Sequence, residues 1–285
     1  MAGVVWWVAV FLVPPVREAT LGQLDPWVTA VFDIPLFVGA SALACAGVRA
    51  AAVVATVWTA LVTLGLAVFA TITTEAGWGV LAMTAASVSS VAALCFLVLG
   101  RIPVDWVLRG PFAFRPAAER TTTRPHVVTT FVQLIIFWGL FLGAIPLAIN
   151  VLERRWALNI DFPPTSGVLG GVLLLLASAL GVYAAIAMST QGQGTPLPAA
   201  MPNRLVIAGP YRWIRNPMAA AGIVQGAAVG LILGSWMVVG YAVAGSLVWN
   251  YAVRPLEEAD LRMRFGAEFD AYCRDVRCWI PSFRT

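Results

Sequence analysis

Seven stretches of this 285-residue chain are apolar for long enough to cross a lipid bilayer, and no other feature restricts its fold as strongly. A hydrocarbon core is spanned by roughly 17–25 consecutive apolar residues of helix. The runs fall at 28–48, 50–73, 78–100, 127–150, 166–189, 218–234 and 235–252, with a shorter one at 1–16. Charged residues make up 11% of the chain, against about 25% in a soluble protein. Water is therefore not its only solvent. The expected fold is an all-α, polytopic integral membrane bundle of seven or eight transmembrane helices ending in a C-terminal amphipathic helix. The run at 1–16 lacks a basic leader and ends in Pro14-Pro15 instead of a small-residue cleavage site, so it reads as a short or tilted first helix and not as a secretory signal.

The net charge of +4 comes from arginine alone, since the chain has no lysine. That pattern fits codon usage better than nucleic-acid binding, for which no soluble basic domain is present. Short positively charged loops stay on the cytoplasmic side. With eight crossings and the N-terminus inside, all of the 18 arginines except Arg17, Arg154 and Arg155 become cytoplasmic. Both termini are then expected in the cytoplasm, and the location is an integral one, a bacterial inner membrane. Cys45 and Cys95 lie in apolar runs, while Cys273 and Cys278 have a spacing that fits no common zinc pattern and the single histidine, His126, is remote, so no metal site is expected.

Three regions follow. Residues 1–100 form a helical block of unassigned role, 101–126 is a Pro- and Arg-rich cytoplasmic link, and 127–285 is the region that carries chemistry. In the first block the main polar group at membrane depth is Asp33, a candidate for function or for an interfacial helix start. A transport role would rest on it, but internal repeats and other midplane charges are missing. Small residues in 78–100 and 166–189, including Ala177, Ser178, Gly181 and Ala185, suit close helix packing.

Residues 188–217 are polar and interrupted by Pro196, Pro198 and Pro202, and a long irregular loop between membrane helices is uncommon unless it is functional. Gly192 and Gly194 allow positive φ and close approach to a ligand, or simply a turn. Pro217 suits the first turn of the next helix. In the tail, Arg254-Pro255-Leu256-Glu257-Glu258 starts a helix whose Leu261, Phe265, Phe269 and Tyr272 form an apolar stripe. One cation and two carboxylates thus meet where the last span leaves the membrane. A silent Glu258–Arg262 pair and a ligand site are equally compatible with that spacing. In the second case Arg binds a carboxylate, Glu an ammonium, and Tyr211 or Trp213 faces a sulfonium.

Gly192-x-Gly194-Thr-Pro, Leu205-Val-Ile-Ala-Gly-Pro-Tyr-Arg-Trp-Ile-Arg-Asn-Pro-Met218, Glu257-Glu258-x-x-Leu261-x-x-x-Phe265-Gly266-x-x-Phe269-x-x-Tyr272 and Cys278-Trp-Ile-Pro281 together resemble the isoprenylcysteine carboxyl methyltransferase family and its phospholipid N-methyltransferase relatives. The resemblance covers about residues 127–285. It implies S-adenosylmethionine held by the loop, the terminal hairpin and the tail helix, with a lipophilic acceptor entering laterally from the bilayer. Gly192, Gly194, Gly209, Pro210, Tyr211, Arg215, Asn216, Pro217, Glu257 and Glu258 would line the cofactor site. Arg215 or Arg254 would orient the acceptor, giving Arg215, Arg254 and Glu257 as the catalytic set. Many members carry histidine where this chain has Asn216, so no imidazole role carries over.

Methyl transfer from a sulfonium needs alignment and exclusion of water more than acid–base apparatus. A carboxylate acceptor would be served by an arginine clamp. An amine or thiol would need deprotonation, for which the sequence offers no strong general base. Membrane sterol and isoprenoid reductases resemble the same tail, and their NADPH would draw on the arginines of 101–124.

Overall fold

The computed structural model describes residues 2–108, 124–192 and 201–281, and among them every element is helical. Six helices are long and apolar enough to cross a membrane, or seven if a bent N-terminal pair counts as one span. The difference from the seven or eight expected lies partly in Pro217–Leu233, an apolar helix of only 17 residues. By its contacts the chain divides into two compact units, Met1–Pro103 with Val151–Asn159, and Val104–Asn150 with Ile160–Thr285. Arg109, Arg115 and Arg120 of the arginine-rich link, and Gly194, lie outside the described residues, as do the side chains of Arg124 and His126.

In the first unit α1 (Ala2–Leu12) and α2 (Pro14–Leu21) meet at 113°. The single tilted helix expected over 1–16 therefore breaks at Val13, because prolines have no amide to continue the ladder. Asp25 caps α3 (Pro26–Cys45), its carboxylate accepting from the Trp27 and Val28 amides. A π-helical stretch, Ile34–Gly39, follows Asp33, which is only 2% exposed. Asp33 is thus inside a helix and does not start one. One of its oxygens accepts from Trp7 Nε1 and the other from Trp58 Nε1, each at 2.8 Å. Trp58 belongs to α4 (Arg49–Thr73), so the carboxylate ties three helices together. The hairpin of α4 and α5 (Gly77–Leu99) turns through Thr74 and Ala76 at positive φ. At Gly79 a Cβ would stand 2.0 Å from the Thr20 carbonyl oxygen, so only glycine permits this approach of α2.

In the second unit α6 (Val127–Arg155) begins, and α7 (Ser166–Gln191) packs along α8 (Pro217–Leu233). Ala177 and Ala185 are buried, and a Cβ on Gly181 would reach Ala221 at 3.4 Å, so small side chains bring the two backbones close. Gln225 donates to Ser178 across this seam at 2.9 Å. Gly234 ends α8 in the left-handed conformation, and Ser235 caps α9 (Trp236–Val248) by accepting from the Val238 amide. A π-helical stretch, Trp249–Val253, then leads into α10 (Arg254–Asp275). The 40 residues from Trp236 to Asp275 would measure about 60 Å as one helix, twice a hydrocarbon core. The charges begin at Arg254, so α9 with the π stretch fills the bilayer and α10 lies beyond it.

Candidate functional site

The loop after α7 folds on itself before it reaches the tail. Gly192 carbonyl oxygen accepts from the Asn203 and Arg204 amides, at 2.7 and 3.2 Å. Its φ is −80°, so no left-handed conformation is used. A Cβ there would lie 2.6–2.8 Å from Met188, Pro202 and Val206, so close packing at the end of α7 requires glycine. Gly209 does adopt positive φ, 58°, and opens a 3-10 turn through Arg212 that buries Pro210 and Tyr211. Tyr211 packs with Ala184, Ala187 and Val206. Pro217 is buried in the first turn of α8, as its missing amide allows.

The stripe on α10 meets this loop. Phe269, Tyr272 and Val276 are buried, with Leu205, Leu261 and Phe265 packed against them. Gly266, at φ 51° and ψ −126°, kinks the helix expected to run straight through it. Tyr272 hydroxyl donates to the Tyr211 carbonyl at 2.6 Å, in a buried position. Arg264 donates to the Pro202 carbonyl, and the Arg215 amide donates to the Arg277 carbonyl at 3.1 Å. Asn216 Nδ2 donates to Cys278 Sγ at 3.3 Å, and Trp279 Nε1 to Asn250 Oδ1 at 3.1 Å. Loop and tail are therefore one body.

Between them lies a cleft of about 810 Å³, open solvent at its mouth included. Tyr211, Arg215, Asn216, Glu257 and Glu258, all expected at the site, line it. Gly192, Gly209, Pro210, Pro217 and Arg254 are not among its lining residues. They shape the walls, and Arg254 stands behind Glu258. Sequence reasoning did not single out the methionine wall of Met188, Met201 and Met218, or Trp249 on the π stretch.

The charges form a compact constellation. Glu258 Oε1 lies 3.6 Å from Arg215 Nη2 and 3.7 Å from Arg254 Nη1. The helical pair Glu258–Arg262 does not form, because Arg262 instead bonds Asp270 at 2.9 Å. Three buried polar atoms of cleft residues have no hydrogen-bond partner: Arg215 Nε, Glu258 Oε1 and Trp249 Nε1. Glu257 keeps some contact with the cleft, yet burial pushes its carboxyl up to about 7, with the charges of Glu258 and Asp260 adding to the effect. A carboxylate balanced near neutrality is a usable proton acceptor, which the spacing of residues did not disclose.

An arginine, two carboxylates and aromatic and thioether walls thus meet at one cleft where the last apolar helix gives way to the charged α10. Residues 165–268 match the family model for phospholipid methyltransferases, and Arg215, Glu257 and Glu258 fall inside the matched segment. No curated protein and no solved structure matches the chain.

Proposed function

We propose that the second unit is an S-adenosylmethionine-dependent methyltransferase that acts on a lipophilic acceptor entering from the bilayer, with its cleft on the cytoplasmic side. The observation that carries this reading is the meeting of Arg215, Glu257 and Glu258 with Tyr211 and Trp249 around one cleft, Glu258 standing 3.6 Å from the Arg215 guanidinium. Arg215 binds the carboxylate of the donor's amino-acid end, and Glu258 binds its ammonium. Tyr211 and Trp249 present aromatic faces suited to a sulfonium. When bound, S-adenosylmethionine supplies a methyl group already activated by that sulfonium. The chain's own work is to align the acceptor, exclude water and, for an amine or thiol, take up its proton on the Glu257 carboxylate. A carboxylate acceptor would arrive ionised, and Glu257 would then serve only beside Glu258, its ionised carboxylate helping to hold the donor's ammonium.

Thermal melting of the purified protein with S-adenosylhomocysteine and, separately, with NADPH tests this. S-adenosylhomocysteine at about 100 times its Kd adds about 2.7 kcal/mol to stability, read as a rise in melting temperature, and NADPH leaves it unchanged. Protection by NADPH alone would replace the methyltransferase reading with a reductase one.

A further inference from the structure

The last turn of α10 contains a thiol that neither the matched segment nor the proposed chemistry uses. Cys273 lies beyond residue 268, where the match ends, yet its sulfur accepts a hydrogen bond from Arg215 Nη1. We propose that Cys273 is a positioning residue: its sulfur fixes the Arg215 guanidinium in the cleft without neutralising it. The inference rests on Arg215 being the group that receives the ligand carboxylate.

Three features of the geometry carry it. The first is that little else orients this guanidinium. Nη2 is 3.6 Å from Glu258 Oε1, an ion pair that sets no direction, and Nε is buried without a partner. The sulfur is the one hydrogen-bond acceptor described for the three guanidinium nitrogens. Secondly, the sulfur is itself held in place. Cys273 packs in the cluster of Phe269, Tyr272 and Val276, and its neighbour Tyr272 is locked to the Tyr211 carbonyl.

The third feature is charge. Burial pushes the Cys273 thiol up from its ordinary value, against the pull of Arg215, and the nearby Glu258 charge adds to the rise. At neutral pH the group is a thiol, so it accepts from the guanidinium without cancelling its positive charge. A carboxylate in the same place would form a closed ion pair and compete with any anionic ligand. The full cationic charge of Arg215 stays available to Glu258 on one side and to the ligand on the other. Positioning by a neutral acceptor on a rigid helix is what a binding group needs to hold its geometry before the ligand arrives.

Full-length Cys273→Ala, Cys273→Val and Cys273→Ser proteins, with Arg215→Ala as reference, are compared by calorimetric titration with S-adenosylhomocysteine and by thermal melting. Ala and Val remove the acceptor and suit an apolar pocket, so packing alone ranks them above Ser. Ser restores an acceptor at a packing cost, so positioning ranks it above both. The expected result is affinity weakened about tenfold or more in Cys273→Ala and Cys273→Val, the order of one lost hydrogen bond to a charged group, with Cys273→Ser closer to wild type. If Cys273→Ala or Cys273→Val does not fold, the other is ranked against Cys273→Ser; if Cys273→Ser does not fold, wild-type affinity in the other two overturns the role and a tenfold loss in both supports it. Affinity that follows packing, with Ser weakest, or that is equal in all three while Arg215→Ala weakens binding, overturns the positioning role and leaves the cofactor reading standing. Absence of binding by the wild-type protein overturns both.

Discussion

Binding of S-adenosylhomocysteine should strengthen about tenfold between pH 6 and pH 8, with Glu257 as the titrating group. Its carboxyl is pushed up to about 7 by burial and by the charges of Glu258 and Asp260. A group with that midpoint is about 9% ionised at pH 6 and about 91% at pH 8, a ratio of about ten. The ligand's carboxylate and ammonium do not titrate in this interval, so a requirement for ionised Glu257 passes directly into the apparent affinity. The sign for folding is opposite. The folded-state value lies above the ordinary 4.5, so the neutral carboxyl's contribution to stability is fully present below about pH 4.5 and lost as the pH rises through about 7. The unliganded protein therefore becomes less stable over the same interval in which it binds more tightly. Titration calorimetry at half-unit steps gives the affinity profile, and melting curves without ligand give the stability profile. Glu257→Gln should bind weakly with no slope and should flatten the melting profile. A flat wild-type affinity curve, or an unchanged slope in the Gln variant, refutes the assignment of Glu257.

Two further outcomes follow from single contacts. Tyr272→Phe removes the buried hydrogen bond to the Tyr211 carbonyl, which should cost about 1–3 kcal/mol, lower the melting temperature and speed amide exchange in the 209–216 turn; unchanged exchange there would show that the tail does not hold the loop. Asp33→Asn leaves one acceptor oxygen for two indole donors, Trp7 and Trp58, so it should destabilise the first unit by about 1–3 kcal/mol while S-adenosylhomocysteine affinity stays at wild type. Loss of that affinity at full stability would instead assign Asp33 to the site.

What the sequence disclosed was set by the range of the interactions involved. Most of the bilayer-length runs, the helix start at Pro217 and the stripe of Leu261, Phe265, Phe269 and Tyr272 are local patterns, and they appear as read, whereas no helix starts at Pro255, because the π stretch runs on into α10 without a break. Asp33 was visible as an anomaly, but its two indole donors lie 26 and 25 residues away and carry no local signature. The choice of Glu258 between Arg262, four residues ahead, and Arg215, far back in the chain, could not be made from helical spacing. Positions that depend on one backbone angle were hidden too, since a single Gly266 at positive φ redirects the second half of α10. The raised carboxyl of Glu257 required knowing how much protein surrounds it.

The residues that brace the cleft from the tail share a location. Tyr272, Cys273, Arg277, Cys278 and Trp279 all follow residue 268, where the family match ends, and each bonds to the loop or to the π stretch: to Tyr211, Arg215, Asn216 or Asn250. The Arg215 guanidinium and the Tyr211 carbonyl sit on the loop, and the groups that hold them sit on the tail, 58 and 61 residues away along the chain. A binding arginine fixed by such distant contacts can keep its chemistry while its orientation is retuned from the tail. Changes between Tyr272 and Trp279 should therefore alter affinity without touching a ligand-contacting residue, because the cost of misplacing a charged donor is paid at the cleft, wherever the support was lost.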